Sequence, residues 1–253
     1  MVIQVTVPAR FAAAYHSVRC LERQGRYLGA FIFGSVARGE ATERSDLDVK
    51  VIVDQDNPCG NINHPVIDGV KLDLTFLSLA QLRRDTEREV ARAARVPMLA
   101  ESVIVFDKTV TLEELRAWAR QATPPRATPA DYQLLRFLVF HTHNKVARAL
   151  ESDPPAALLA MHLGLAELFD HHRRLQGRWE VSSKRLLPEL RAVDPPLAAL
   201  VEAFVATAEL HAKFRLWTDI VAYIARPLGT WADAENTCDC VVCREDLATL
   251  LHG

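Results

Sequence analysis

With Lys and Arg at 30, Asp and Glu at 32 and a net charge of −2, this 253-residue chain is nearly neutral. That balance argues against a long polyanionic partner such as bulk DNA or RNA, whose binders carry a basic face, and favours small polar substrates. A hydrophobic content of 49% with 25% charged residues fits a globular protein of one large or two modest domains. No apolar run is long enough to span a bilayer and residues 1–10 do not read as a signal sequence, so the expected location is the cytoplasm and no membrane partner is expected.

Residues 11–23 have helical spacing, and Gly25 can end them. Residues 27–33 are an apolar strand running into the small turn Gly34-Ser35, and 47–53 form a second strand. A polar loop over 54–64 precedes a hairpin over 66–77 that turns at Asp68-Gly69. Residues 78–95 read as a charged amphipathic helix capped by Ser78, 102–107 as a strand, and 111–121 as a helix opened by a capping box of Thr111 and Glu114. The Pro-rich stretch 123–129 suits a linker between a catalytic domain over 1–122 and a helical domain over 130–253. Helices are expected there over 130–152, 154–176, 183–191 and 196–225. The fold class is therefore α/β (α+β), followed by a helical bundle.

Chemistry concentrates between the first strand and the hairpin. Side chains alternate along a strand, so Leu47, Val49, Val51 and Val53 line one face while Asp46 and Asp48 stand on the other. The segment around Asp73 repeats the pattern, with Leu72, Leu74 and Phe76 opposite Lys71, Asp73 and Thr75. If these strands are neighbours, three carboxylates converge, and like charges so placed repel unless a cation holds them ionised. Hard oxygen ligands suit Mg²⁺, with Mn²⁺ a substitute. A pair of such ions can clamp the attacking and leaving oxygens of a phosphoryl displacement. Gly34 permits close approach of backbone to phosphate, Ser35 adds a hydroxyl and an N–H, and Arg38 and Arg44 are candidate partners for triphosphate oxygens.

Over residues 31–77 this arrangement resembles the nucleotidyltransferase superfamily that includes DNA polymerase beta, above all its small antibiotic-modifying members of the kanamycin nucleotidyltransferase type. The resemblance implies a short mixed sheet flanked by helices, a nucleoside triphosphate such as ATP as co-substrate, two Mg²⁺ ions and release of pyrophosphate. It assigns Gly34 and Ser35 to the phosphates and Asp46, Asp48 and Asp73 to catalysis and metal binding. It further implies transfer of a nucleoside monophosphate, AMP by first expectation, to a hydroxyl of an aminoglycoside or lincosamide, and a homodimer. The alternatives are nucleotidylylation of a protein or RNA, as in antitoxin-type members, and a non-catalytic nucleotide-binding module.

In the helical half, His141 and Lys145 lie four residues apart on one helix face. They are similar in position to the family's Glu-x-x-x-Lys pair, in which Glu is the general base and Lys touches the nucleotide phosphates. Here His141 replaces the Glu, and an imidazole can serve as a base at neutral pH. Glu167 is the reserve candidate, and the run from Asp170 to Arg174 also resembles the family's helical half. Five cysteines in a cytosolic chain argue against a disulfide framework. Cys238, Cys240 and Cys243 supply only three of the four ligands of a closed structural Zn²⁺ site, so free thiols are the default reading.

Overall fold

The computed structural model describes residues 7–229 together with Val241, Glu245 and Thr249. The chain divides into two compact units, Met1–Pro124 and Pro125–Gly253.

In the first unit, helix α1 (Ala12–Cys20) precedes β1 (Tyr27–Phe33), a one-turn helix α2 (Gly34–Ala37) and β2 (Leu47–Val53). Then come β3 (Val66–Ile67), β4 (Val70–Leu77), α3 (Leu79–Arg92), β5 (Val103–Asp107) and α4 (Thr111–Ala119). The strands form a five-stranded mixed sheet in the order β3-β4-β2-β1-β5. β1 runs antiparallel to β2 and β5, whereas β2 and β4 are parallel. The β3–β4 turn has Asp68 at φ 49° and Gly69 at φ 73°. Positive φ at both central residues matches the right-handed twist of the flanking strands, which is why Asp-Gly closes the hairpin.

Both faces of the sheet carry core. Leu47, Val49, Val51 and Leu72 pack with Phe11, Ala14 and Val18 on one side. On the other, Phe31, Ile52 and Leu77 pack with Leu82, Leu99, Leu112 and Leu115. The face bearing Asp46 and Asp48 therefore stays polar through Lys50, and two repeats beyond Asp48 the buried Ile52 enters the second core. This differs from the simple polar-against-apolar alternation expected of the strand.

Ser78 caps α3 as expected: its hydroxyl accepts the Gln81 N–H and the Gln81 side chain returns a bond to the Ser78 N–H. The capping box expected at Thr111 does not form. Val110 stands at the cap with φ 63°, and α4 is capped instead from the end of β5. There Asp107 Oδ2 accepts the Leu112 N–H at 2.8 Å and the Glu113 N–H at 3.1 Å, and Oδ1 accepts the Thr109 N–H at 3.0 Å. One carboxylate thus ties the last strand to the last helix of the unit. Asp107→Ala should lower the stability of this unit by about 1–2 kcal/mol, read as a lower urea midpoint with unchanged slope; an unmoved midpoint would contradict the cap.

The second unit is helical: α5 (Pro129–Ser152), α6 (Pro154–Leu175), α7 (Ser183–Val193), α8 (Pro195–Ala206) and α9 (Leu210–Ala225). Asp153 and Asp194, each followed by two prolines, cap α6 and α8 through the N–H groups of Ala156 and Leu197. Proline in the first turn costs nothing there, since its missing N–H has no partner in a helix. The helix expected over 196–225 is broken. Thr207 takes an extended ψ of 126°, and the Glu209 carboxylate accepts the His211 and Ala212 N–H groups to start α9. The buried Trp217 fills the centre of this unit, within a core that includes Val139, Met161, Leu168, Phe204 and Ile220. Gly164 lies at the closest approach: a Cβ there would come within 2.7 Å of the Trp217 ring and 3.0 Å of Thr142. Among the described residues no helix is long and apolar enough to cross a membrane.

The polar run at the end of α6 is knitted into this structure. His172 Nε2 meets Asp194 Oδ2 at 2.9 Å, and the Tyr223 hydroxyl donates to Asp194 Oδ1 at 2.7 Å. Arg173 is buried, donating to Trp179 O and pairing with Glu189, each at 2.6 Å, and Arg174 pairs with Asp131. Burial holds the imidazoles of His143, His171 and His172 below the usual histidine pKa, with Asp194 opposing the effect at His172. The fold therefore favours their neutral forms. As pH falls below about 6.5 the unfolded chain takes up protons that the folded chain does not, and stability is lost. We expect the urea midpoint of the helical signal to drop between pH 7.5 and pH 5.5; a midpoint constant over that interval would contradict this.

Candidate active site

The register of the parallel pair builds the site. Asp48 on β2 stands directly beside Asp73 on β4, and Leu47 beside Leu72. Adjacent strands lie about 4.8 Å apart, so the two aspartates are neighbours on one face. Continuing the register one step places Asp46 across from Lys71. From the antiparallel side Phe33 partners Asp48, and the chain then turns sharply into α2.

Gly34 makes that turn with φ 72°, and a Cβ at this position would lie 2.0 Å from Asp48 Oδ2. The absent side chain is thus a condition for the Asp48 carboxylate to stand where it does. Ser35 follows, half-buried, in the first turn of α2, and its carbonyl accepts the Glu40 N–H at 2.8 Å.

Two cationic or hydrogen-bonding groups sit among the carboxylates that sequence reasoning did not assign to the site. The Lys71 ammonium lies 3.0 Å from Asp73 Oδ1 and 3.5 Å from Asp46 Oδ2. His64 Nδ1 lies 2.6 Å from the same Asp73 oxygen. The His64 loop is held by a backbone bridge in which Asn63 and Leu74 exchange N–H···O bonds of 2.8 and 2.9 Å. The hydrogen bond from Lys71, with a smaller one from His64, holds the Asp73 carboxyl below its usual range, and the Asp73 carboxylate in turn raises the Lys71 pKa. Lys71 was legible as sharing the face of Asp73; its reach to Asp46 needed the parallel register. Nothing in the sequence separates His64 from the other polar residues of its loop.

Among the described residues no group of three or more His, Cys, Asp or Glu side chains is gathered to hold a metal ion. The convergence expected at Asp46, Asp48 and Asp73 is interrupted by the Lys71 ammonium. The donor set still suits a hard divalent cation: it consists of carboxylate oxygens, and both contacts to Asp73 fall on Oδ1.

The expected phosphate partners are placed differently. Arg38 pairs with Glu40 at 2.9 Å and with Glu101 at 3.6 Å, so its guanidinium is already engaged by carboxylates. Arg44 is exposed in the turn at 42–45, where its N–H donates to Thr42 Oγ1. Beyond Asp48 on the same strand face, Lys50 stands at the edge of a cavity of about 220 Å³. Its lining includes the apolar Phe31, Leu77, Leu82, Met98 and Leu99 together with Glu89. Glu89 Oε2 accepts the Met98 N–H at 2.9 Å, and burial pushes this carboxyl above its usual pKa.

His141 and Lys145 lie on α5 and Glu167 on α6, in the second unit. The His141 ring stacks on Phe137 at 5.2 Å between centroids, and Lys145 and Glu167 are exposed. His143 is buried against Phe214. Of the cysteines, Cys20 and Cys59 are free thiols. Cys238, Cys240 and Cys243, and with them the Zn²⁺ alternative, lie outside the described residues.

Aspartates thus stand side by side on neighbouring strands, next to a glycine-led turn into a helix. Residues 18–101 match the family model described as the nucleotidyltransferase domain, a span that includes the turn and all three aspartates. The first unit thus carries a nucleotidyltransferase domain. The chain is also similar to the crystal structure of a nucleotidyltransferase-like protein from Exiguobacterium sibiricum 255-15. That similarity has a TM-score of 0.47 and 14% identity, covering 86% of this chain and 74% of the other. No curated protein matches the chain.

Proposed function

We propose that the protein transfers a nucleoside monophosphate, AMP by first choice, from a nucleoside triphosphate to a hydroxyl of a small molecule of the aminoglycoside or lincosamide kind. The observation that carries the reading is the Asp48–Asp73 pair beside Gly34. The acceptor oxygen forms a bond to the α-phosphorus, the bond from that phosphorus to the β-phosphate oxygen breaks, and pyrophosphate leaves.

Asp46, Asp48 and Asp73 would hold Mg²⁺, which supplies charge neutralisation at the phosphoryl oxygens when bound. The chain's own groups do the rest. Gly34 and Ser35 offer backbone N–H and hydroxyl donors to the phosphates at the start of α2. Before metal binds, Lys71 and His64 keep Asp73 ionised and oriented. His141 is the group assigned to take the acceptor's proton, with Glu167 in reserve, and Lys145 the phosphate contact.

Pyrophosphate release from ATP, GTP, CTP and UTP with Mg²⁺, against a panel of aminoglycosides and lincosamides, tests the reading. Release that depends on one acceptor identifies the substrate class. Triphosphate binding without release from any panel member would overturn the antibiotic acceptor and direct the assay to protein and RNA ends.

A further inference from the structure

We infer that Lys71 is a built-in counter-cation that occupies the carboxylate cluster before a divalent metal does, and so sets the metal affinity of the site. The inference rests on reading Asp46, Asp48 and Asp73 as the metal carboxylates.

Three aspartates on one sheet face repel one another when no cation is bound. Lys71 stands on the same face of β4 as Asp73, two residues before it, and the β2–β4 register carries it across to Asp46. Its single ammonium reaches one oxygen of each, at 3.0 and 3.5 Å. A metal ion shared by Asp46 and Asp73 would have to stand in the same space. The two cations exclude each other by volume and by charge.

The lysine is suited to yield. Its side chain is 47% exposed, and a hydrated ammonium on a four-carbon stem can swing into water without disturbing the strand. His64 cannot serve the same role, since its contact in the cluster is with Asp73 alone and stays on Oδ1. With Lys71 withdrawn, His64 still orients Asp73. The arrangement keeps the metal-free cluster folded and makes the metal displace a resident charge.

The test is direct Mn²⁺ binding to the full-length protein, by calorimetry and by loss of the free-ion EPR signal, for the parent, Lys71→Met and Lys71→Arg. Methionine keeps the stem and removes the charge; arginine keeps the charge. Lys71→Met should bind Mn²⁺ about thirtyfold more tightly, the scale set by removing one positive charge about 4 Å from a divalent ion in a largely aqueous setting. Lys71→Arg should stay close to the parent. In EDTA the melting temperature of Lys71→Met should fall below the parent's, and Mn²⁺ should raise it by more than it raises the parent's. Equal or weaker Mn²⁺ binding by Lys71→Met, with the parent binding normally, would overturn the role of Lys71 alone. Absence of Mn²⁺ binding in all three proteins would overturn this inference together with the metal reading of the carboxylates.

Discussion

Asp48→Asn is expected to abolish nucleotide transfer, by roughly 10³-fold or more, while leaving the fold intact. The magnitude is that of losing a preorganised group that stabilises charge only in the transition state. Asparagine nearly matches aspartate in shape, so the close fit against Gly34 is retained. What disappears is the negative charge beside Asp73. Thermal melts of the variant without metal separate any change in stability from the loss of activity. Asp73→Asn should lose activity on the same scale, but its stability should differ. There the Lys71 ammonium and His64 lose the charge they contact at 3.0 and 2.6 Å. The measurement is acceptor-dependent pyrophosphate release at saturating triphosphate, alongside thermal melts. Substantial turnover by a well-folded Asp48→Asn protein would remove this aspartate from the catalytic centre and leave the pair as a structural feature.

The parts of this site that can be read in the sequence are those set by local alternation. β1 and β2 follow from their apolar runs and from the turn residues beside them, and the Asp68-Gly69 hairpin from its demand for positive φ. Asp48 and Asp73 were recognisable as co-facing because each lies one step off an apolar run. What alternation does not contain is register. Only the parallel pairing of β2 with β4 shows that Lys71 sits opposite Asp46, and only the Asn63–Leu74 bridge brings His64 to Asp73.

Non-local caps were invisible for the same reason. Thr111 has the residue types of a capping box, yet Asp107, four residues earlier, reaches the free N–H groups of α4 from the end of a strand. The break between α8 and α9 carries no Gly or Pro. Its signal is the Glu209 side chain, which any uninterrupted helical pattern absorbs as an exposed residue. Arg38 shows the converse limit. A basic residue beside a phosphate-binding type of turn reads as a phosphate partner, but Glu101, more than sixty positions away in sequence, also pairs with it. The second unit is legible as helices, through the Asp-Pro-Pro starts of α6 and α8. The role of the polar run from Asp170 to Arg174 is not, because Asp194, Glu189 and Asp131 reach it from other helices.

Gly34→Ala provides the sharpest test of how the turn and the carboxylate depend on each other. Two costs add. Alanine at φ 72° pays the left-handed penalty of about 1–2 kcal/mol. Its methyl would also lie 2.0 Å from Asp48 Oδ2, so either the carboxylate rotates away or the start of α2 shifts. We expect stability to fall by about 2–3 kcal/mol and transfer to fall by roughly 10² to 10³-fold, because the displaced carboxylate is one that the proposed chemistry uses. A double-mutant cycle separates the two costs. In an Asp48→Ala background the oxygen that the methyl meets is gone, and Gly34→Ala should then cost only the backbone term. A coupling of about 1 kcal/mol or more between the two positions would locate the constraint in the contact between Gly34 and Asp48. Strict additivity would mean that the glycine serves the turn alone, and the small residue beside the carboxylate would lose its link to function.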